Sequence, residues 1–141
     1  MGSVKAVLRK AYIEKLNGIT VSGISIPVYD LFAADNAPAN YIVLSSYNSV
    51  DLTTKCGDDE NPSVEVQVYT KFQKQGGSLL ADQIAEIVID LIKANDMDLS
   101  PNYKLLSTRK SSDSDLPGLN SDYKIYRRII RFEHIVQDLN K

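Results

Sequence analysis

The stretch VEVQVYTKFQKQGGSLLADQIAEIVIDLI, residues 64–92, decides the fold class. Its opening residues alternate: Val64, Val66, Val68, Thr70 and Phe72 fall on one side, and Glu65, Gln67, Tyr69 and Lys71 on the other. A period of two with one apolar side predicts a strand with one buried face and one open face. Gln73–Gly77, with Gly76-Gly77 as the breaker, predicts a turn, and Ser78 stands as the cap of a helix over 79–94. The apolar residues of that helix, from Leu80 and Ala81 to Leu91 and Ile92, cover an arc of roughly 200°, where one sheet face needs little more than about 100°. The excess needs a second partner, either another element of the chain or a neighbouring subunit.

Working outward, residues 3–16 place Val4, Val7, Leu8, Ala11 and Tyr12 on one helical face, with Ser3 as cap, Gly18 as terminator, and Lys5, Arg9 and Lys10 turned to solvent. Residues 19–29 alternate around Ser22-Gly23 and predict a small hairpin or bulged strand, with Pro27 marking a sheet edge. Residues 30–40 read as a loop and 41–47 as a central strand. A polar loop is expected over 51–63, a strand over 103–112, a loop over 113–121 turning at Pro117-Gly118, and a last strand from Tyr123 to about Val136. In that strand the alternation slips near Arg127-Arg128, which suggests a bulge. The expected class is α+β: one domain, 1–141, with a mainly antiparallel sheet and two helices on one face, in the order α-β-β-β-α-β-β.

Composition limits the chemistry. The chain has 141 residues, 16 Lys+Arg against 18 Asp+Glu, one Cys and one His. One Cys excludes an internal disulfide and a Cys-based zinc cluster, and one His excludes a multi-histidine metal site. No apolar run approaches the roughly 20 residues of a membrane span, and the N-terminus has no signal-peptide core. A soluble protein without a cofactor is the expectation. Cys56 would need a distant base to act as a nucleophile, and His134 alternates with Phe132 and Val136 on an apolar strand face. Asp58-Asp59-Glu60 is an acidic cluster without metal-loop spacing, read as a solvated loop, with an inter-subunit contact or a weak cation site as the alternatives. Arg127, Arg128 and Arg131, with Lys124 and Tyr126, make a basic strand, although a pI of about 5.3 argues against dedicated DNA binding.

The order of pieces resembles the bacteriophage tail-completion, or tail-terminator, proteins. The resemblance rests on VKAVLRKAYIEKLNG at 4–18, PVYD at 27–30, ANYIVLSSY at 39–47, DLTTKCGDD at 51–59, the 64–92 stretch and YKIYRRIIRFEHIVQ at 123–137. It implies a structural virion protein, not an enzyme, that forms a homohexameric ring capping the tail tube and joining tail to head. The implied partners are further copies of the chain, the tail-tube protein and neck or head-completion proteins, with DNA passing through the lumen without specific binding. Acidic Asp58, Asp59 and Glu60 would then line or rim that lumen or meet a neighbour. Glu65, Tyr69, Arg127 and Arg131, on the exposed side of the sheet, are the expected head-to-tail interface. Three competing readings are a neck or connector ring, a small cytoplasmic α+β enzyme, and a nucleic-acid-binding module using the last strand.

Overall fold

In the computed structural model, residues 4–51, 59–72, 79–119 and 124–139 are described. The elements run α1 (Val4–Leu16), β1 (Ile19–Val21), β2 (Ile24–Ile26), β3 (Val28–Asp30), β4 (Tyr41–Asp51), β5 (Asp59–Phe72), α2 (Leu79–Lys93), β6 (Tyr103–Leu119) and β7 (Lys124–Asp138). β1 and β2 form a separate hairpin, and the other strands make one sheet in the order β3-β4-β5-β7-β6. Every pairing in that sheet is antiparallel except β3 with β4. The α+β class therefore holds, with both helices on one face of the sheet. More strands precede α2 than the sequence pattern suggests, because Ser22-Gly23 and Pro27 cut residues 19–30 into three short strands.

Local chemistry explains the breaks. Ser22 and Gly23 both take positive φ, +51° and +80°, the combination that suits a two-residue hairpin turn. Gly18 ends α1 at φ +87°, and Asn95 takes the left-handed conformation just past α2. β3 is an edge strand, and the Pro27 carbonyl before it accepts from Ile42 N–H.

Three expectations from the sequence need correction. The stretch 51–63 is strand at both of its described ends: β4 runs through Asp51, β5 begins at Asp59, and Asp51 pairs with Glu60. Proline misled there. Pro62 pairs with Ser49, while the ladder to β7 passes from Glu60↔Val136 to Ser63↔Glu133, skipping Asn61 and Pro62, the second of which has no N–H. Of the expected loop 113–121, residues 113–119 are also strand, with Pro117 opposite Tyr126 and Gly118 opposite Ile125. β6 is the other edge of the sheet, where a proline costs no ladder bond. Finally, β7 has no bulge at Arg127-Arg128, since its register with β5 is unbroken from Phe72↔Lys124 to Ser63↔Glu133. The bulges lie in β6, between Leu105 and Ser107 and between Lys110 and Ser112. Ser3, Ser78, the 73–77 turn, Cys56 and Asp58 lie outside the described residues.

The core fills one side of the sheet. Ile42, Leu44, Val64, Val66, Val68, Ile130, Phe132 and Val136 are buried beneath Val4, Leu8, Ala11, Tyr12 and Leu16 of α1 and Ala81, Ile84, Ala85, Val88, Ile89 and Ile92 of α2. The wide apolar arc of α2 finds its second partner inside the chain. One side meets β5, β6 and β7, and the remainder meets α1 and the β1–β2 hairpin.

Two polar assemblies fasten the helices. His134 is almost fully buried, at 1% exposure. The Tyr12 hydroxyl bonds its Nε2, and Thr108 Oγ1 lies 2.9 Å from its Nδ1. Thr108 Oγ1 also donates to Asn95 Oδ1 at 2.7 Å. One tautomer satisfies all of these: Tyr12 donates to Nε2, and Nδ1–H donates to Thr108, which donates onward to Asn95. The relay joins α1, β7, β6 and the end of α2. Burial lowers the His134 pKa from 6.5 to about 4 and raises that of the Tyr12 hydroxyl.

The second assembly surrounds Arg128, the residue that resembled a break in phase. It stays on the core side, next to the apolar positions, with its side chain 14% exposed. Its Nε and Nη2 each donate to Asp113 at 2.7 Å, and Nη1 donates to Asp82 of α2 at 2.7 Å. The bonds from Arg128 hold the Asp113 carboxyl below its ordinary range. Arg9 is also less exposed than its helical position suggests: its guanidinium sits 4.5 Å over the Tyr47 ring, and Nε lies 3.3 Å from Asp30.

The buried histidine fixes the sign of one pH effect. Unfolded, it takes a proton near pH 6.5; folded, near pH 4. Between these values the unfolded chain binds more protons, so stability is complete above pH 6.5 and falls as the pH drops toward 4. The expected loss from this group is on the order of 3 kcal/mol. His134→Gln keeps a donor and an acceptor but cannot titrate. Urea unfolding of both proteins at pH 7 and pH 4 should show a smaller acid loss in the variant; equal losses would exclude His134 as the cause. For Arg128→Met, which leaves Asp82, Asp113 and the nearby Asp115 facing one another, an expected cost of about 2–3 kcal/mol compares with less than about 1 for Arg131→Met. Equal denaturation midpoints for the two variants would contradict that ranking.

Candidate functional site

The alternation that buries Val64, Val66 and Val68 turns the opposite residues of each strand to a face that no helix covers. Register fixes the rows across it. Tyr41 of β4 pairs with Tyr69 of β5, and Tyr69 pairs with Arg127 of β7, which faces Leu116 of β6. The next row is Val43, Gln67 and Ile129, and the one after is Ser46, Glu65 and Arg131. Four of the residues singled out from the sequence, Glu65, Tyr69, Arg127 and Arg131, are thus gathered on one surface.

Aromatic rings define one end of this face. Tyr41 and Tyr69 stack with centroids 4.6 Å apart and planes 19° apart, and Tyr29 meets Tyr41 edge-on at 5.8 Å. Burial and the neighbouring Tyr69 raise the Tyr41 hydroxyl pKa, while Arg127 opposes the shift. The sequence reading missed Tyr29 and Tyr41. The strand spanning 41–47 was visible, but which of its sides faces outward becomes clear only once Tyr41 is set opposite Tyr69.

The middle of the face is electrostatically closed. Arg131 Nη2 donates to Glu65 at 2.9 Å, its Nη1 donates to Ser63 at 3.2 Å, and Arg109 pairs with Glu133 directly across from it. Arg127 differs. Its Nε is buried without a hydrogen-bond partner, and among the described residues it forms no ion pair. The acidic cluster is also split. Asp59 belongs to the open-face set of β5, whereas Glu60 belongs to the opposite set and accepts from Ser49 Oγ at 3.3 Å. Asp59 and Glu60 therefore do not act as one patch.

Other chemistry finds little support in this geometry. A hollow of about 170 Å³ beside β6 and β7 is lined by Asn61, Arg109, Glu133 and His134, below the roughly 300–1,000 Å³ of small-ligand sites; hollows of about 300 and 340 Å³ lie against Phe72 and Leu80 and against Val7 and Ala11, and one of about 410 Å³ is lined by Asp82, Asp113, Asp115, Tyr126 and Arg128, where the arginine is already paired with the aspartates. Both ring nitrogens of His134 are already engaged. Among the described residues no three His, Cys, Asp or Glu side chains are placed to hold a metal ion, and no helix is long and apolar enough to cross a membrane. Half of the basic strand is neutralised, since Arg128 and Arg131 are committed to carboxylates within the chain.

A face that sets tyrosine and arginine among aliphatic Val43, Leu116 and Ile129 has the composition of a protein-contact surface. Comparison with known proteins agrees in kind. The family model for tail completion protein gp17 matches residues 18–137. A chain from the virion of a native gene transfer agent particle superposes with a TM-score of 0.75 over 96% of this chain and 99% of that one, at 20% identity, a likeness that concerns the fold. No curated protein matches the sequence. With most of its length matched, the chain belongs to the tail completion protein gp17 family and is a structural component of a phage-type virion tail.

Proposed function

We propose that the chain is a tail-terminator subunit, copies of which close head-to-tail into a ring that caps the tail tube and joins it to the head. The observation that carries this reading is the uncovered sheet face, where aromatic and charged side chains are set in rows without any described element of the chain above them. Its family supports a place at the end of the tail.

Dimensions suit a ring around DNA. A compact chain of this length has a radius of gyration of roughly 14 Å, equivalent to a sphere roughly 37 Å across. Six such spheres in contact leave an opening also roughly 37 Å wide, enough for a duplex. The lumen needs no affinity for DNA, and an overall net charge of −2 gives it no general attraction. Tail-tube protein on one side and neck or head-completion proteins on the other are the partners this position requires.

Adding the purified chain to elongating tail tubes tests the proposal. The expected outcome is arrest of elongation, with six copies at each capped end in electron micrographs. Tubes that lengthen at the same rate, with the chain retained instead on portal complexes, would reject the terminator role in favour of a neck ring.

A further inference from the structure

The charges of the open face sort into two kinds. Glu65 with Arg131 and Arg109 with Glu133 are cross-strand pairs that satisfy each other. Arg127 at one end and Asp59 at the other form no ion pair among the described residues. Asp59 and Tyr69, the register partner of Arg127, lie on the same face of β5, ten residues apart. At about 3.3 Å per residue this separates them by about 33 Å, nearly the full width of a compact molecule this size. Arg127 and Asp59 cannot meet within one copy.

We infer that Arg127, set between Tyr69 and Leu116 at the end of the Tyr29–Tyr41–Tyr69 row, is a socket for the Asp59 carboxylate of a second copy of this chain. The occupant follows from charge. Among the described residues the socket lacks an anion, the same face of the same chain offers one that lacks a cation, and the pairs between them are closed. The aromatic row supplies rigid, partly desolvated walls beside the guanidinium, which strengthens a charge-assisted bond there. Ring closure needs two different patches that fit each other, and these two ends are such patches. The inference rests on the ring reading and specifies its contact.

Charge exchange tests it. Arg127→Glu and Asp59→Lys should each weaken self-assembly by about tenfold or more, because each sets like charges against one another. The double variant, with both charges reversed, should recover assembly to within a few-fold of the parent. Mixing the two single variants should recover it as well. Arg131→Glu, which opposes Glu65 in its own copy, should not be rescued by Asp59→Lys. Assembly is read by mass photometry over a concentration series and by counting copies bound at tube ends. Circular dichroism confirms that each variant is folded, and Asp59→Lys probes the contact from the side where no stacked ring is disturbed. Parent-like assembly of both single variants, or no recovery in the double variant, overturns the socket while leaving the ring intact. A parent chain that assembles neither alone nor on tubes overturns the ring and the socket together. A closed dimer that both single variants disrupt supports the contact and overturns the ring.

Discussion

Two helices can cover only one side of a five-stranded sheet, and the rest of the structure follows from that limit. On the covered side the strands carry valine, isoleucine, leucine and phenylalanine, removed from water by α1 and α2. On the other side the same strands must be compatible with solvent, and they carry tyrosine, glutamine, glutamate and arginine in register. Because side chains alternate strictly, the pairing that packs the core also sets the open face in rows. A one-residue slip of β5 against β7 would bring Arg131 inward and turn Ile130 outward. Apolar burial therefore dictates, without further instruction, which residues can meet a partner.

Polar groups on the core side are held by full satisfaction. Arg128 is tolerated beside the apolar core because Asp113 takes two of its donors and Asp82 a third, and the same bonds pin the first turn of α2 to β7 and β6. His134 is tolerated because burial keeps it neutral and both nitrogens have partners. Each links elements that apolar packing alone would leave free to slide. Tyr12 and Asn95 lie far apart in sequence, yet the His134–Thr108 relay sets the angle of α1 and the end of α2 against one strand pair.

Much of this is legible in the chain itself. The 64–72 alternation reports the buried side of β5, and the helical spacing of Val4, Leu8, Ala11 and Tyr12 gives the buried face of α1. The readings that failed did so for local reasons. Pro62 and Pro117 are turn-formers by habit but sit in strands, one across a gap in the ladder and the other on an edge. Arg128 resembled an interruption because its counter-charges, Asp82 and Asp113, are distant in sequence and converge only when α2 crosses β7. The aromatic row is hidden for the same reason: Tyr29, Tyr41 and Tyr69 belong to three strands, and only register aligns them.

The apolar excess of α2 bears on how copies of the chain can associate. Had it remained uncovered, the surface would carry an aliphatic stripe suited to a permanent, core-like interface. Instead α1 and the β1–β2 hairpin take it up within the chain. The open sheet face carries stacked tyrosines, closed ion pairs and, among the described residues, a charge without an ion-pair partner at each end. Contacts of this sort are directional, weakened by salt, and individually modest once solvent competes. Such a surface disfavours indiscriminate aggregation of free chains. It gains strength when several copies are held side by side on a template, because each contact then forms at high effective concentration. The proposed terminator role requires that dependence, since a surface that associated as readily in free solution would consume the subunits before any tube end existed.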